Sequence, residues 1–198
     1  MESQRPIDRT DEIVTRMSNG MTVIIKRHGA APVVAARMYV KTGSIFEQER
    51  LGCGISHLYE HLLHGGTTIT RTEAQSRAIL DRIGSRSNAY TTKDHTCYYI
   101  ETSKAFLGEA VNLLADFITR PAFDAEEFQR EWGVVQRELE MHQDDPARQL
   151  YYLTCESLYK VHPARLPVIG YKPMVQTLTH EDIKEYHRRM YAPDNVIF

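Results

Sequence analysis

Short alternating stretches of apolar and polar residues open the chain. Ile13 to Met17 and Met21 to Lys26 read as strands, and Ser18-Asn19-Gly20 between them predicts a hairpin, since Asn-Gly is the strongest short-range turn signal. Pro32 leads into Val33 to Val40, a third strand that stops near Gly43. The period then changes. After Gly52-Cys53-Gly54, the apolar residues Ile55, Leu58, Tyr59 and Leu62 recur at i, i+3, i+4, i+7, which predicts a helix ended by Gly65-Gly66. Thr72 with Gln75 forms a capping box for a second helix running to about Ile83. Asn88 to Thr91 and His95 to Glu101 read as two strands across a turn at Lys93-Asp94. Helices follow over about 104–119, 124–143, 146–160 and 180–190, with Pro121, Pro146 and Pro163 at the breaks, and Asn195 to Phe198 begins a further strand.

Strands and helices are partly segregated rather than alternating, so the pattern predicts a single α+β unit without repeats or linkers. Its 198 residues suffice for one core, and 42% hydrophobic against 25% charged residues is the balance of a globular chain. A net charge of −2 gives no basic footprint for nucleic acid, and no apolar stretch approaches the roughly 18 residues of a membrane span. Met1 to Gly20 carries acids and bases but no apolar leader segment. The three cysteines, Cys53, Cys97 and Cys155, form no CxxC, so a reducing, cytoplasmic location is expected.

Nine histidines are many for this length, and four chemistry-bearing residues share one helix face. His57, Glu60, His61 and His64 fall at i, i+3, i+4, i+7, forming a polar stripe beside the apolar one. Two histidines one turn apart can converge on a tetrahedral zinc, with Glu60 placed to accept a proton from water; H-x-x-E-H is the inverted form of the zinc motif H-E-x-x-H. The bland alternative is a solvated face that happens to carry histidines. A catalytic zinc site needs a third protein ligand. On the helix over 124–143 the core stripe is Phe128, Trp132, Val135 and Leu139, whereas Glu131 and Glu138 lie at its edge, seven residues apart. Carboxylates at an apolar border need neutralising, by a metal or by an arginine from elsewhere.

This arrangement resembles the insulinase/pitrilysin family of zinc metallopeptidases, which includes the mitochondrial processing peptidases. The similarity rests on H-x-x-E-H at 57–61, on the 76 residues between His61 and Glu138, and on Glu131 seven before it. Asn19-Gly20, Asn88-Ala89-Tyr90-Thr91 with His95-Thr96-Cys97-Tyr98-Tyr99, and Tyr191-Ala192-Pro193-Asp194-Asn195 resemble further family segments, so the likeness runs from about residue 12 to 198. It implies a mixed, largely antiparallel sheet with helices packed on one side. It also implies His57, His61 and Glu138 as ligands of Zn2+, Glu60 as the base that activates a zinc-held water, and Glu131 as a carboxylate orienting a ligand. Peptide would bind extended along a strand edge at Asn88 and Ala89.

The family resemblance further implies that 1–198 is one N-terminal catalytic lobe, truncated or split from a larger protein, with a C-terminal lobe or companion subunit as partner; apolar surface near the tail leaves a homo-oligomer open. His64 and Gly65 depart from the family, which more often has a large apolar residue followed by Lys. His64 is expected at the rim of the site. His28, His95, His142, His162, His180 and His187 receive no role. Two other readings compete: a non-catalytic or partner-dependent subunit of a peptidase pair, and a lyase resembling S-ribosylhomocysteine lyase, whose third ligand is a Cys; Cys97 and Cys155 lack the spacing for it.

Overall fold

The hairpin forms where its turn chemistry places it. β1 (Glu12–Arg16) and β2 (Thr22–Lys26) pair antiparallel, with Ile13 opposite Ile25 and Thr15 opposite Val23. Gly20 adopts φ +93°, a conformation that disfavours side chains, and Asn19 Oδ1 accepts from the Met21 N–H at 3.1 Å. The computed structural model describes residues 12–198; the expectation of no leader segment over Met1 to Gly20 falls in part, up to residue 11, outside the described residues.

Four more strands complete one sheet: β3 (Val33–Val40), β4 (Arg86–Thr91), β5 (Thr96–Ser103) and β6 (Val196–Ile197). Their order is β1-β2-β6-β3-β5-β4, so β4 is an edge. Neighbours run antiparallel except β2 and β6, which makes the sheet mixed and largely antiparallel, as expected. Two-residue periodicity sorts its faces. Ala36, Met38 and Val40, with Tyr98, Ile100 and Ala89 in register beside them, are buried. The opposite face carries half-buried Arg37, Tyr39, Tyr99 and Glu101. There Arg37 donates to Glu101 Oε1 at 2.7 Å, and its guanidinium lies 4.7 Å over the Tyr99 ring.

The helices are α1 (Ile55–Leu63), α2 (Glu73–Arg82), α3 (Leu107–Thr119), α4 (Ala125–Gln143), α5 (Pro146–Leu158), α6 (Lys172–Val175) and α7 (His180–Met190). α3 lays Ala110, Leu113, Leu114 and Phe117 on the apolar face of β3 and β5. α1 packs between β4, α4 and α7. Its Leu58 and Tyr59 are fully buried, each removing an area worth roughly 1.5–3 kcal/mol from water. Tyr59 also bonds His187 Nδ1 through its hydroxyl at 2.6 Å and meets the Tyr191 ring edge-on.

The structure refines several boundaries. β4 begins at Arg86 rather than Asn88, because polar residues on an edge strand give no alternation to read. The segment after Ser103 opens as a 3-10 turn over Lys104–Phe106 before α3. The four-residue α6 was not foreseen, being too short for periodicity. No helix among the described residues is long and apolar enough to cross a membrane.

Candidate metal centre

The placement of the motif begins at the N-terminus of α1. Gly54 has φ +65°, and a Cβ there would stand 2.1 Å from the Ile169 carbonyl oxygen, so only glycine fits. Buried Glu47 reaches across this turn: Oε2 accepts from the Gly54 N–H at 3.2 Å and Oε1 from the Ser56 N–H at 3.0 Å. These are the orphan donors of a helix start, and a carboxylate there also suits the helix dipole. Burial nevertheless pushes Glu47 up to about 7, against the pull of its bonds to Ser56 and Gly54. The apolar stripe of α1 then fixes its rotation, and the polar stripe faces α4.

Across that gap, Glu138 Oε2 lies 3.5 Å from His61 Nε2 and 3.7 Å from His57 Nε2. One ligand atom from each of the three residues falls within 4.8 Å of the others. The two imidazole rings meet edge-on at 4.8 Å. Tetrahedral coordination at zinc distances would separate ligand atoms by roughly 3.3–3.5 Å, close to the two Glu138–histidine separations. His57 Nδ1 is buried without a hydrogen-bond partner among the described residues, and its Nε2 is the side that faces Glu138.

Glu131 stands one step outside. Its Oε2 is 3.6 Å from His61 Nδ1, and its Oε1 accepts from Arg130 Nε at 3.1 Å. Burial pulls His61 downward, yet Glu131, Glu138 and Glu60 outweigh it and hold the imidazole up at about 9. The same contact with His61 holds Glu138 below the usual carboxylate range. His57, buried and beside His61, is held below the usual histidine value.

Glu60 is 9% exposed, and Thr91 Oγ1 donates to its Oε2 at 3.0 Å. Burial raises its carboxyl, only partly offset by His61 and the Thr91 bond. Thr91 ends β4, whose outer edge faces the site. The Ala89 N–H donates to Asn88 Oδ1 at 2.9 Å. A cavity of about 480 Å³ is lined by His57, Glu60, His61, Glu131 and Glu138 together with Asn88 and Ala89. All seven residues singled out in the sequence therefore meet at one place. His64 lines the same cavity with its Nε2 3.2 Å from Ser87 Oγ, and it is not one of the three residues whose ligand atoms converge.

Two contacts escaped sequence reasoning. His142, given no role, places Nε2 3.4 Å from Glu138 Oε1, and Tyr152 and Arg148 hold its ring. Its i, i+4 spacing from Glu138 was the available signal. The Thr91 clamp on Glu60 spans 31 residues and had none beyond lying in the family-like segment.

The sheet and helix pair have the fold of a peptidase, with a His-His-Glu group that could hold a metal. Residues 22–171 match the family described as Insulinase (Peptidase family M16), and the chain belongs to that family. It is 30% identical to the protein named uncharacterized zinc protease YmxG of Bacillus subtilis (strain 168), over 90% of this chain and 43% of that one. It is also 30% identical to a probable mitochondrial-processing peptidase subunit beta of Schizosaccharomyces pombe, over 92% and 40%. Among solved structures, a protease from Helicobacter pylori superposes with a TM-score of 0.88 at 30% identity, covering 94% of this chain and 45% of that one. The chain thus spans less than half the length of these relatives.

Proposed function

We propose that this chain is the metal-bearing lobe of a zinc-dependent endopeptidase that takes its substrate as an extended peptide along β4. The observation that carries the reading is the convergence of His57, His61 and Glu138 beside a buried, clamped Glu60. In this reading His57 Nε2, His61 Nε2 and one Glu138 oxygen hold the zinc. When bound, the ion supplies Lewis acidity, making water more acidic and polarising a carbonyl.

The chain's own groups do the rest. Thr91 occupies Glu60 Oε2, leaving Oε1 to take a proton from water and pass it to the departing amine. The raised affinity of Glu60 for protons suits both halves of that transfer. Glu131 holds His61 through Nδ1, so that Nε2 carries the lone pair toward the metal. The outer edge of β4 at Asn88 and Ala89 offers backbone groups to a peptide strand, among them the Ala89 N–H that donates to Asn88 Oδ1. A companion lobe, on the same or another chain, would close the cavity over the substrate.

The test is cleavage of an internally quenched peptide mixture by zinc-loaded protein, with and without the companion lobe. Hydrolysis by the unmodified chain that Glu60→Gln abolishes supports the reading. Zinc-loaded protein that cleaves nothing in either setting marks a non-catalytic subunit. A chain that takes up no zinc removes the basis for the proposal.

A further inference from the structure

Two cavities flank the candidate zinc site, and their charges are opposite. The first, of about 480 Å³, extends past His61 to Glu73, Glu127, Arg130 and Glu131. The second, of about 430 Å³, extends past His142 to Lys93, Asp145 and Arg148. His57, Glu138 and Thr91 line both, so the site sits at their junction. Setting aside the candidate ligands and Glu60, the first arm holds three carboxylates against one guanidinium, and the second holds two cations against one carboxylate.

These groups retain capacity for a ligand. Glu73 is half-exposed and meets Arg130 through Oε2 at 2.8 Å, leaving Oε1 open. Each Glu127 oxygen accepts one bond from Thr67, at 3.0 and 2.5 Å, and a carboxylate has about four acceptor positions. In the other arm, Arg148 is half-exposed: its Nη1 meets the His142 ring and its Nε lies 3.8 Å from Asp145, which leaves Nη2 without a partner among the described residues. Lys93 Nζ donates to the carbonyls of Ala164 and Leu166 at 2.5 and 3.1 Å, so one of its three N–H groups is left over.

The direction of a bound strand follows from β4. Asn88 to Thr91 line the acidic arm, while Thr91 and Lys93 line the basic arm. An antiparallel strand on the free edge, the more stable pairing, runs from the Lys93 end toward Asn88. Its residues before the scissile bond then meet the basic arm, and those after it meet the acidic arm.

We propose that this cleft selects extended peptides carrying an acidic residue on the N-terminal side of the scissile bond and a basic residue on the C-terminal side. The inference rests on the peptidase reading above and adds to it the charge order of the substrate. Partly exposed ion pairs each contribute little, so two of them should give a preference of roughly five-fold, weakening with salt.

The experiment is fluorescence anisotropy of labelled decapeptides on the zinc-loaded Glu60→Gln chain, with zinc content measured on the same sample. Four peptides share one sequence except at two positions: acidic-then-basic, basic-then-acidic, and each charge alone with a neutral partner. Tightest binding of the acidic-then-basic peptide and weakest binding of the reversed one is expected. Arg148→Gln should weaken the acidic preference, with Lys93 still in the arm and zinc content checked because Arg148 also touches His142, and Glu73→Gln should weaken the basic one. With zinc present, equal affinities, a preference for the reversed order, or no binding of any peptide would overturn the inference and leave the metal site standing. A sample holding no zinc would instead remove the peptidase reading on which it rests.

Discussion

Replacing Glu131 by Gln separates two effects of one carboxylate. Glu131 Oε2 lies 3.6 Å from His61 Nδ1, and the residue is largely buried. An outer carboxylate of this kind fixes the ring and raises its basicity toward the metal, and its loss typically lowers affinity roughly 10–100-fold. Glutamine keeps an acceptor oxygen in place, so the lower end, about tenfold, is expected. The second effect has the opposite sign. In the metal-free chain His61 is held at about 9, so at pH 7 a proton must leave before zinc can bind, a handicap of about 100-fold. Glu131 contributes to that elevation, so Glu131→Gln eases proton competition at pH 7 while weakening the metal bond. At pH 9 and above the competition fades in both proteins and the full loss should show. Competition against a chromophoric chelator at pH 7 and pH 9.5 measures this directly. Unchanged affinity at pH 9.5, or a larger loss at pH 7 than at pH 9.5, would refute the assigned role.

Three further outcomes are expected. Glu60→Gln should retain zinc within a few-fold yet lose peptide hydrolysis by about 10²–10⁴, read from initial rates and metal content together. Gly54→Ala forces a side chain into a left-handed backbone and against the Ile169 carbonyl, so thermal unfolding should show a loss of at least about 2 kcal/mol. Glu47, raised from 4.5 to about 7, binds more protons folded than unfolded between those values, so its contribution to stability falls by about 2–4 kcal/mol as pH rises through that window. Urea midpoints from pH 4.5 to 8 should decline accordingly, and Glu47→Gln, though less stable overall, should flatten the slope; parallel curves would count against this assignment.

Local chemistry was readable and long-range pairing was not. Asn19-Gly20 and the Thr72–Gln75 capping box act within a few residues, and both form where the sequence places them. The motif helix declared itself by two interleaved stripes, and the spacing to Glu138 reflects which turn of α4 crosses α1. By contrast, β6 is two residues long and slots between β2 and β3, a position set by pairing Ile197 with Thr22 and Val196 with Val40, far earlier in the chain. Glu47 drew no reading from the sequence, and only the fold brings its carboxylate onto the start of α1. Thr91 on Glu60 and His142 on Glu138 are likewise products of assembly, since hydroxyls and imidazoles satisfy many environments and announce none.

X-ray absorption at the zinc edge on stoichiometrically loaded protein tests the central claim most directly. Ligation by His57, His61 and Glu138 predicts one zinc per chain in a shell of nitrogen and oxygen at about 2.0–2.2 Å, with the outer scattering of two imidazoles. His61→Ala should lose that shell. A sulfur neighbour near 2.3 Å, which only Cys53, Cys97 or Cys155 would supply as thiolate, or a spectrum unchanged in His61→Ala, would contradict the account.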